Sequence, residues 1–592
     1  MPIKDDVAGA EEARKQLKQP AVVCNSCGKP MVVRTVRKAG YGRKAGDKFF
    51  GCSGFPECRT IYDWVDLQDI KRLTNPSIYQ KAILAQTDGN MVVRALAGSG
   101  KTTTAVEYAI QASELRPQDK ITLVAFNRNT VAELKERLPP NLDTRTYHSL
   151  GMRICHQNID FYQIDENGVK VQSIIEQLIP IPNGAASAID AAFEFRSEFR
   201  QLLNMARLNL TDPNDREAII QVIDHYALDF VKEEEAIHKL GPAMRSCAVQ
   251  TSLIDYNDMI FLPHWYGWRA KEPADLIIID EAQDLSSASR DVVNRYLKPE
   301  GRLIAVGDPK QAINGFAGAD VDSFDLTAME YNANELPLPI CYRCPTSHLK
   351  LAQVLVPEIE PASGAKEGSI VFLTSADLPA TLQENDLVLC RLNAPLLILA
   401  MQCIMQGKYL NVKNLGVEKQ LYTTIKKVLN ADNEDDLEEF RSDLDKYIND
   451  KVIYFSNKGR FARAANLKDT HRCLSAIIDN SQVPLRTVHD LTRLLNRIFQ
   501  DKDNAPEGRT VHRSKGSEAE RVFILNGDLM PFGRATKDWQ IQQEYNLLYV
   551  ALTRSKSVLG FVNSTPRPIA HVLKQMITEQ TIQVSTNVEI LE

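Results

Sequence analysis

Several things are missing from this sequence, and each absence narrows the reading. No apolar run approaches the length of a membrane span, and the first residues (Lys4, Asp5, Asp6, Glu11, Glu12) hold no apolar core of a secretory signal. Charge of one sign is not in excess: 70 Lys and Arg stand against 76 Asp and Glu, a net of −6, so no global basic field announces a polyanionic partner. Any contact with nucleic acid must then be local. The C-terminal tail has neither a basic patch nor a nuclease-like acidic cluster. What is present is ordinary for a globular protein, 44% hydrophobic and 25% charged. At 592 residues the chain is too long for one core, so several domains are expected. The expected setting is reducing: the cytoplasm of a bacterial cell or of a virus-infected host, or the nucleus if the source is eukaryotic. There, eleven cysteines point to metal ligands or free thiols rather than disulfides.

The most informative stretch is Met91-Val92-Val93-Arg94-Ala95-Leu96-Ala97-Gly98-Ser99-Gly100-Lys101-Thr102-Thr103. A β-branched run, a small-residue turn and a helix-compatible continuation give the order strand, anion-cradling loop, helix. Small residues let the N–H groups of Ala97, Gly98, Ser99, Gly100 and Thr103 face phosphate oxygens at the positive end of the helix dipole. Lys101 would reach the β- and γ-phosphates and the Thr102 hydroxyl would hold Mg²⁺. Ala95 stands where the strict pattern has Gly, a small departure. Upstream, the carboxamide of Gln80 could read an adenine edge.

A second anchor is Asp275-Leu276-Ile277-Ile278-Ile279-Asp280-Glu281. Its apolar run reads as a strand buried on both faces. Asp280 at its end suits Mg²⁺, and Glu281 suits activation of an attacking water. Together with the phosphate loop the pair points to an NTPase.

Cys24-Asn25-Ser26-Cys27 and Cys52-Ser53-Gly54-Phe55-Pro56-Glu57-Cys58 are two close pairs on turns, the spacing of a tetrahedral Cys₄ zinc ribbon. Between them Lys29, Arg34, Arg37, Lys38, Arg43, Lys44 and Lys48 face one acid, Asp47, with Tyr41, Phe49, Phe50 and Phe55 interleaved. Basic charge with aromatics suits a phosphate backbone and its bases. A purely structural ribbon with a solvated basic face is the alternative. The segment resembles the C-terminal zinc ribbons of bacterial type I topoisomerases.

A further buried strand is expected over Ile121 to Asn129, ending in an aromatic and a polar group, and a third strand end over Thr144 to Ser149, which would set His148 at a strand end. There it is either a core histidine or a ligand contact. Residues 151–250 read as a helical insertion, and 433–447 as an amphipathic surface helix. Gly307-Asp308-Pro309-Lys310-Gln311, Cys341-Tyr342-Arg343-Cys344, Arg391-Leu392-Asn393, Val511-His512-Arg513-Ser514-Lys515-Gly516-Ser517-Glu518 and Tyr549-Val550-Ala551-Leu552-Thr553-Arg554 follow in order. From Leu73 to about Lys556 this order resembles the UvrD/Rep-like branch of superfamily 1 DNA helicases, with some likeness to the F-box DNA helicase branch at Phe126-Asn127 and Tyr147-His148-Ser149.

The resemblance implies an α/β protein with two RecA-like parallel-sheet lobes, mainly helical insertions and a small N-terminal zinc ribbon. The expected division is a leader at 1–20, the ribbon at 21–66, lobe 1 at 71–150 and 251–335, and a helical insertion at 151–250. Lobe 2 would take 336–400 and 506–592, with a second insertion at 401–505. By resemblance Tyr342 stacks on the nucleotide base, Glu518 holds its ribose, Gln311 senses the γ-phosphate, and Arg343 and Arg554 are arginine fingers. Phe126, Asn127, His148, Phe316, Arg391 and His512 would meet nucleic acid. The expected cofactors are ATP, Mg²⁺ and a structural Zn²⁺. The expected partners are single-stranded and duplex DNA, with room for a protein loading factor that the sequence does not identify, and no membrane. Expected function is an ATP-dependent helicase or translocase of 3′→5′ polarity; the rivals are an RNA helicase and an ATPase that strips proteins from DNA. The family commonly has Tyr and Trp-Arg where this chain has Asn314 and Phe316-Ala317.

Overall fold

The computed structural model describes residues 22–579 except 25, 37–43, 45, 64–69, 161, 229, 231, 316–317, 319–321, 431–433, 458–460, 482–483, 534 and 536. The expected leader at 1–20 and Phe316 therefore lie outside the described residues, as do Arg37, Lys38, Tyr41 and Arg43.

Two parallel sheets organise the chain. The first has six strands in the order Asn334–Leu338, Met91–Ala95, Leu297–Gly307, Ala274–Asp280, Ile121–Ala125, Asp143–Thr146. All its pairings are parallel. Helices must cover both faces of such a sheet, and the apolar runs read from the sequence are the strands buried on both sides. One face packs with Ile83, Ala109 and Leu134, the other with Leu150, Val292 and Tyr296. The second sheet orders Ser369–Leu373, Ser555–Val562, Ala519–Leu525, Leu387–Cys390, Glu507–Thr510, again all parallel.

Two excursions are helical. The first leaves by Tyr147–His156 and returns by Tyr256–Trp265. These helices cross at Gly151, where a Cβ would lie 1.9 Å from the Met259 carbonyl oxygen, so only glycine fits. The excursion is tied to the returning helix by buried charges. Lys170 Nζ lies 2.6 Å from Asp258 Oδ2, and Arg207 Nη1 reaches Asp255 and Asp258, each at 2.9 Å. Such a cluster is costly to break because it leaves a buried charge unpaired. The second excursion supplies Glu418–Val428, Leu437–Asn457, Phe461–Asn480 and Val488–Ile498. Leu437, Phe440, Leu444 and Ile448 line the buried face of its acidic helix and share a core with Val388, Phe523 and Val562 of the second sheet. No helix among the described residues is long and apolar enough to cross a membrane.

The N-terminal module is an antiparallel meander of Met31–Thr35, Lys48–Cys52 and Ile61–Asp63. Gly28 abuts Gln118, just beyond the helix Lys101–Leu115; the Gln118 Nε2 lies 2.4 Å from where a Cβ would stand.

Candidate nucleotide site and metal centre

The loop after Met91–Ala95 turns through Gly98 at φ +67° and Gly100 at φ +81°, both left-handed, before the helix Lys101–Leu115 opens. First-turn N–H groups of a helix lack partners within it, which leaves them for an anion. The Ser99 hydroxyl is buried there without a hydrogen-bond partner, a donor suited to a phosphate oxygen. Thr102 Oγ1 donates to Asp280 Oδ2 at 2.7 Å, so the loop and the acidic strand end share one oxygen-rich point that fits Mg²⁺. Burial, then the neighbouring charge of Glu281, pushes Asp280 up to about 6. Burial also acts on Glu281, but Lys101 and Lys515 outweigh it and hold that carboxylate down at about 2. One acid is thus poised near neutrality and the other stays ionised.

Gln80 is buried beside this loop. Its Oε1 accepts from the Ser77 N–H at 3.0 Å and its Nε2 donates to Thr104 Oγ1 at 3.1 Å, so both ends of the carboxamide already serve protein groups. Arg137 reaches Thr103 Oγ1 at 2.9 Å.

The second sheet delivers its residues to the same loop. Gly98 is pressed against Cys341 and Arg343, and its carbonyl accepts from the Tyr342 N–H at 2.9 Å. The Tyr342 ring is exposed. Cys341 and Cys344 are buried in an apolar cluster with Leu96, Ala97 and Tyr549, as packing thiols. The Ala97 N–H donates to Tyr549 Oη at 2.9 Å. Arg554, 2% exposed, donates to Gln311 Oε1 at 3.3 Å. Burial and then the charge of Arg343 lower it to about 10, which leaves it a cation at neutral pH. Arg343 Nε meets Glu518 Oε2 at 2.6 Å, and Lys556 holds the other oxygen of that carboxylate at 2.5 Å. The expected ribose acid and one expected finger are therefore paired with each other. Gln311 Nε2 also donates to Asp308 Oδ2 at 2.6 Å.

The residues expected to meet nucleic acid are more dispersed. The Phe126 ring is exposed, and Asn127 caps the helix Arg128–Arg137 through its side-chain oxygen on the Thr130 N–H. His148 is not at a strand end: the strand stops at Thr146, and His148 sits in the first turn of Tyr147–His156, edge-on to Tyr256. Burial, then Arg128, lowers its pKa. Arg391 lies two-pronged on Glu544 and over the Phe532 ring. Burial, then Arg391, lowers His512 to about 3, so its imidazole is neutral.

Lys515, Asn546 and Tyr549 had no role in the sequence reading. Lys515 Nζ bridges Asp284 Oδ2 at 2.6 Å and the Gln311 carbonyl at 2.9 Å, and Asn546 Nδ2 donates to the Ala312 carbonyl at 2.9 Å. The lysine inside Ser514-Lys515-Gly516 was visible; its acid, far away in sequence, was not.

In the N-terminal module the four sulfurs of Cys24, Cys27, Cys52 and Cys58 lie within 4.8 Å of one another. A zinc tetrahedron with Zn–S near ~2.3 Å has S···S edges of about 3.8 Å, so the cluster fits one ion. The Gly54 N–H donates to Cys52 Sγ at 3.3 Å, as expected around a thiolate ligand. Arg34 stacks over the exposed Phe55 ring at 5.5 Å.

Comparison with known proteins agrees with this arrangement. Residues 77–332 match the family model described as the UvrD/REP helicase N-terminal domain, and residues 509–562 match that of the UvrD-like helicase C-terminal domain. F-box DNA helicase protein 1 of Schizosaccharomyces pombe is 25% identical over 505 residues, covering 79% of this chain and 55% of that protein. ATP-dependent DNA helicase Rep of Buchnera aphidicola subsp. Baizongia pistaciae is 22% identical over 296 residues, 47% of this chain and 42% of that protein. ATP-dependent DNA helicase PcrA of Bacillus subtilis is 25% identical over 302 residues, covering 47% and 39%. The chain thus spans about half the length of these relatives, or less.

Proposed function

Because this chain belongs to the UvrD/Rep helicase family, we propose that it is an ATP-driven motor that moves 3′→5′ along single-stranded DNA and separates the duplex ahead of it. One observation carries the reading. Arg554 of the second lobe touches Gln311 of the first, while Arg343 of the second packs on Gly98 of the phosphate loop. The nucleotide site is therefore made of both lobes, and its occupancy must bear on the gap between them.

Phosphoryl transfer asks mainly for positioning and neutralised charge. In this reading Lys101 and the loop from Ala97 to Thr103 bind the phosphates, and Thr102 with Asp280 would hold Mg²⁺, which neutralises charge on the phosphates when bound. Glu281, kept ionised, accepts a proton from the attacking water. Gln311 contacts the γ-phosphate beside Arg554, and Arg343 leaves Glu518 to stabilise the transferring charge, freeing Glu518 for the ribose and Tyr342 for the base. Closure on ATP and release after hydrolysis would alternate the grip of the two lobes on the strand. Cys24, Cys27, Cys52 and Cys58 hold one structural zinc, and the ribbon's basic and aromatic face adds DNA contact where the Gln311 loop lacks the family's Trp-Arg.

The test is steady-state ATP hydrolysis with and without single-stranded DNA, wild type beside Lys101→Ala, followed by unwinding of 3′- and 5′-tailed duplexes. Stimulation that vanishes in the variant and unwinding from the 3′ tail are expected. Stimulation by RNA alone, or turnover indifferent to nucleic acid, would overturn the reading.

A further inference from the structure

The helix Asp538–Leu552 of lobe 2 runs alongside the loop that follows Gly307 in lobe 1, and the contacts run in order along both, save that Asn546 also reaches back to the Pro309 carbonyl at 3.4 Å. Arg554, just past the helix end, meets Gln311 at 3.3 Å; Asn546 meets the Ala312 carbonyl at 2.9 Å; Gln543 meets the Ile313 carbonyl at 2.7 Å. Gly315 then packs on the Trp539 ring, 3.2 Å from where its Cβ would stand to Cζ3. The loop ascends as the helix descends. Fifteen helical residues span about 22 Å, so one seam leads from the nucleotide end of the interface to Trp539.

Trp539 has a third neighbour. His225, at the end of Arg216–His225 in the first helical excursion, stacks on it with ring centroids 5.2 Å apart and planes 16° from parallel. A flat nitrogen heterocycle laid on indole has the shape and chemistry of a nucleobase stack. The Trp539 Nε1–H is buried with no hydrogen-bond partner, so this arrangement leaves a donor unused that a base acceptor or a bridging water would satisfy. The ring is held by lobe 2, lobe 1 and the first excursion together. Any change in the lobe gap therefore shifts the surface on which it stacks.

We propose that Trp539 is a stacking platform for a base of single-stranded DNA, and that His225 keeps the base's place when no strand is bound. This rests on the single-stranded-DNA motor reading above and adds a strand contact, from the opposite lobe, next to the loop that lacks the family's Trp-Arg. Strand entry replaces the imidazole by a base; the phosphate state at Gln311 is transmitted along the seam to that base.

The experiment measures the oligo-dT concentration that half-saturates ATPase stimulation in wild type, Trp539→Ala, Trp539→Phe and His225→Ala. A second readout uses emission of the Trp64→Phe/Trp265→Phe/Trp268→Phe protein, in which Trp539 is the one tryptophan left. Expected are a roughly 10-fold rise for Trp539→Ala, near-recovery for Trp539→Phe, a fall for His225→Ala, and quenching of Trp539 emission by oligo-dT at the same concentrations. Unchanged half-saturation in Trp539→Ala with normal maximal stimulation overturns the proposal while leaving the motor intact. If Trp539→Ala does not fold, emission of Trp539 that ignores saturating oligo-dT overturns it equally. Wild type that no single strand stimulates overturns the motor reading and this proposal with it.

Discussion

Lys515→Met removes the cation that joins the lobes at Asp284 while keeping the length and apolar body of the side chain. Lys515 is 15% exposed and Asp284 3%, with Nζ 2.6 Å from Oδ2. In the variant the carboxylate keeps only the 3.0 Å bond from Asn314 Nδ2. Removing one partner of a buried pair costs about 3–5 kcal/mol. Protonation sets a ceiling on that loss. Burial already raises the Asp284 pKa, with Lys515 the main charge pulling it back, so losing the lysine lets it rise further. Taking up a proton above the ordinary value of 3.8, at about 1.4 kcal/mol per pH unit, caps the penalty at about 4.5 kcal/mol at pH 7 and about 1.7 kcal/mol at pH 5. A carboxyl raised in the folded state contributes its stability below the unfolded pKa and loses it as pH rises. The variant's deficit therefore grows from pH 5 to pH 7. At about 2–4 °C per kcal/mol for a domain of this class, the melting midpoint should fall by roughly 6–18 °C at pH 7 and by no more than about 3–7 °C at pH 5. Adding Asp284→Asn should recover most of the loss, because no charge is then left buried. Thermal melts at the two pH values check this. Equal midpoints for wild type and variant at pH 7, or a deficit independent of pH, would refute the reasoning.

Gly98→Ala should weaken ATP binding by roughly tenfold, from about 1–2 kcal/mol of left-handed strain. Its Cβ would in addition meet Cys341 Sγ at 2.7 Å and Arg343 Cβ at 2.8 Å, and the KM for ATP measures the result. Metal analysis should find one zinc per chain, lost in Cys24→Ser, whose sulfur is fully buried in the cluster; a variant that keeps stoichiometric zinc would count against the four-cysteine site.

Local chemistry explains what could be read from the sequence. The turn from Ala95 to Gly100 needs left-handed backbone, and glycine marks it; the run Leu276 to Ile279 needs burial on both faces, and its composition says so. Cysteines three and six residues apart announce their own geometry, and their sulfurs do converge. The α/β class with parallel sheets, the helical excursions and the family follow from such stretches in order. The sequence reading placed His148 at a strand end because the extended run of Thr144 to Thr146 was legible but the helix start at Tyr147 was not. Thr146 caps that helix with its side chain, a signal that the word Thr-Tyr-His-Ser carries only weakly.

Partnership across the chain was not legible. Arg391 was expected to face a strand of DNA, yet Glu544, 153 residues later, holds it in three hydrogen bonds. Arg343 rests on Glu518, Lys515 on Asp284 and Trp539 on His225. By itself the sequence determined the elements whose backbone or burial demands particular residue types: the phosphate loop, the buried strands, the cysteine knuckles. Only the tertiary structure decided which charges and rings meet. An ion pair or a stack is set by where two distant segments are delivered by the sheets beneath them, and no single segment's composition encodes that distance.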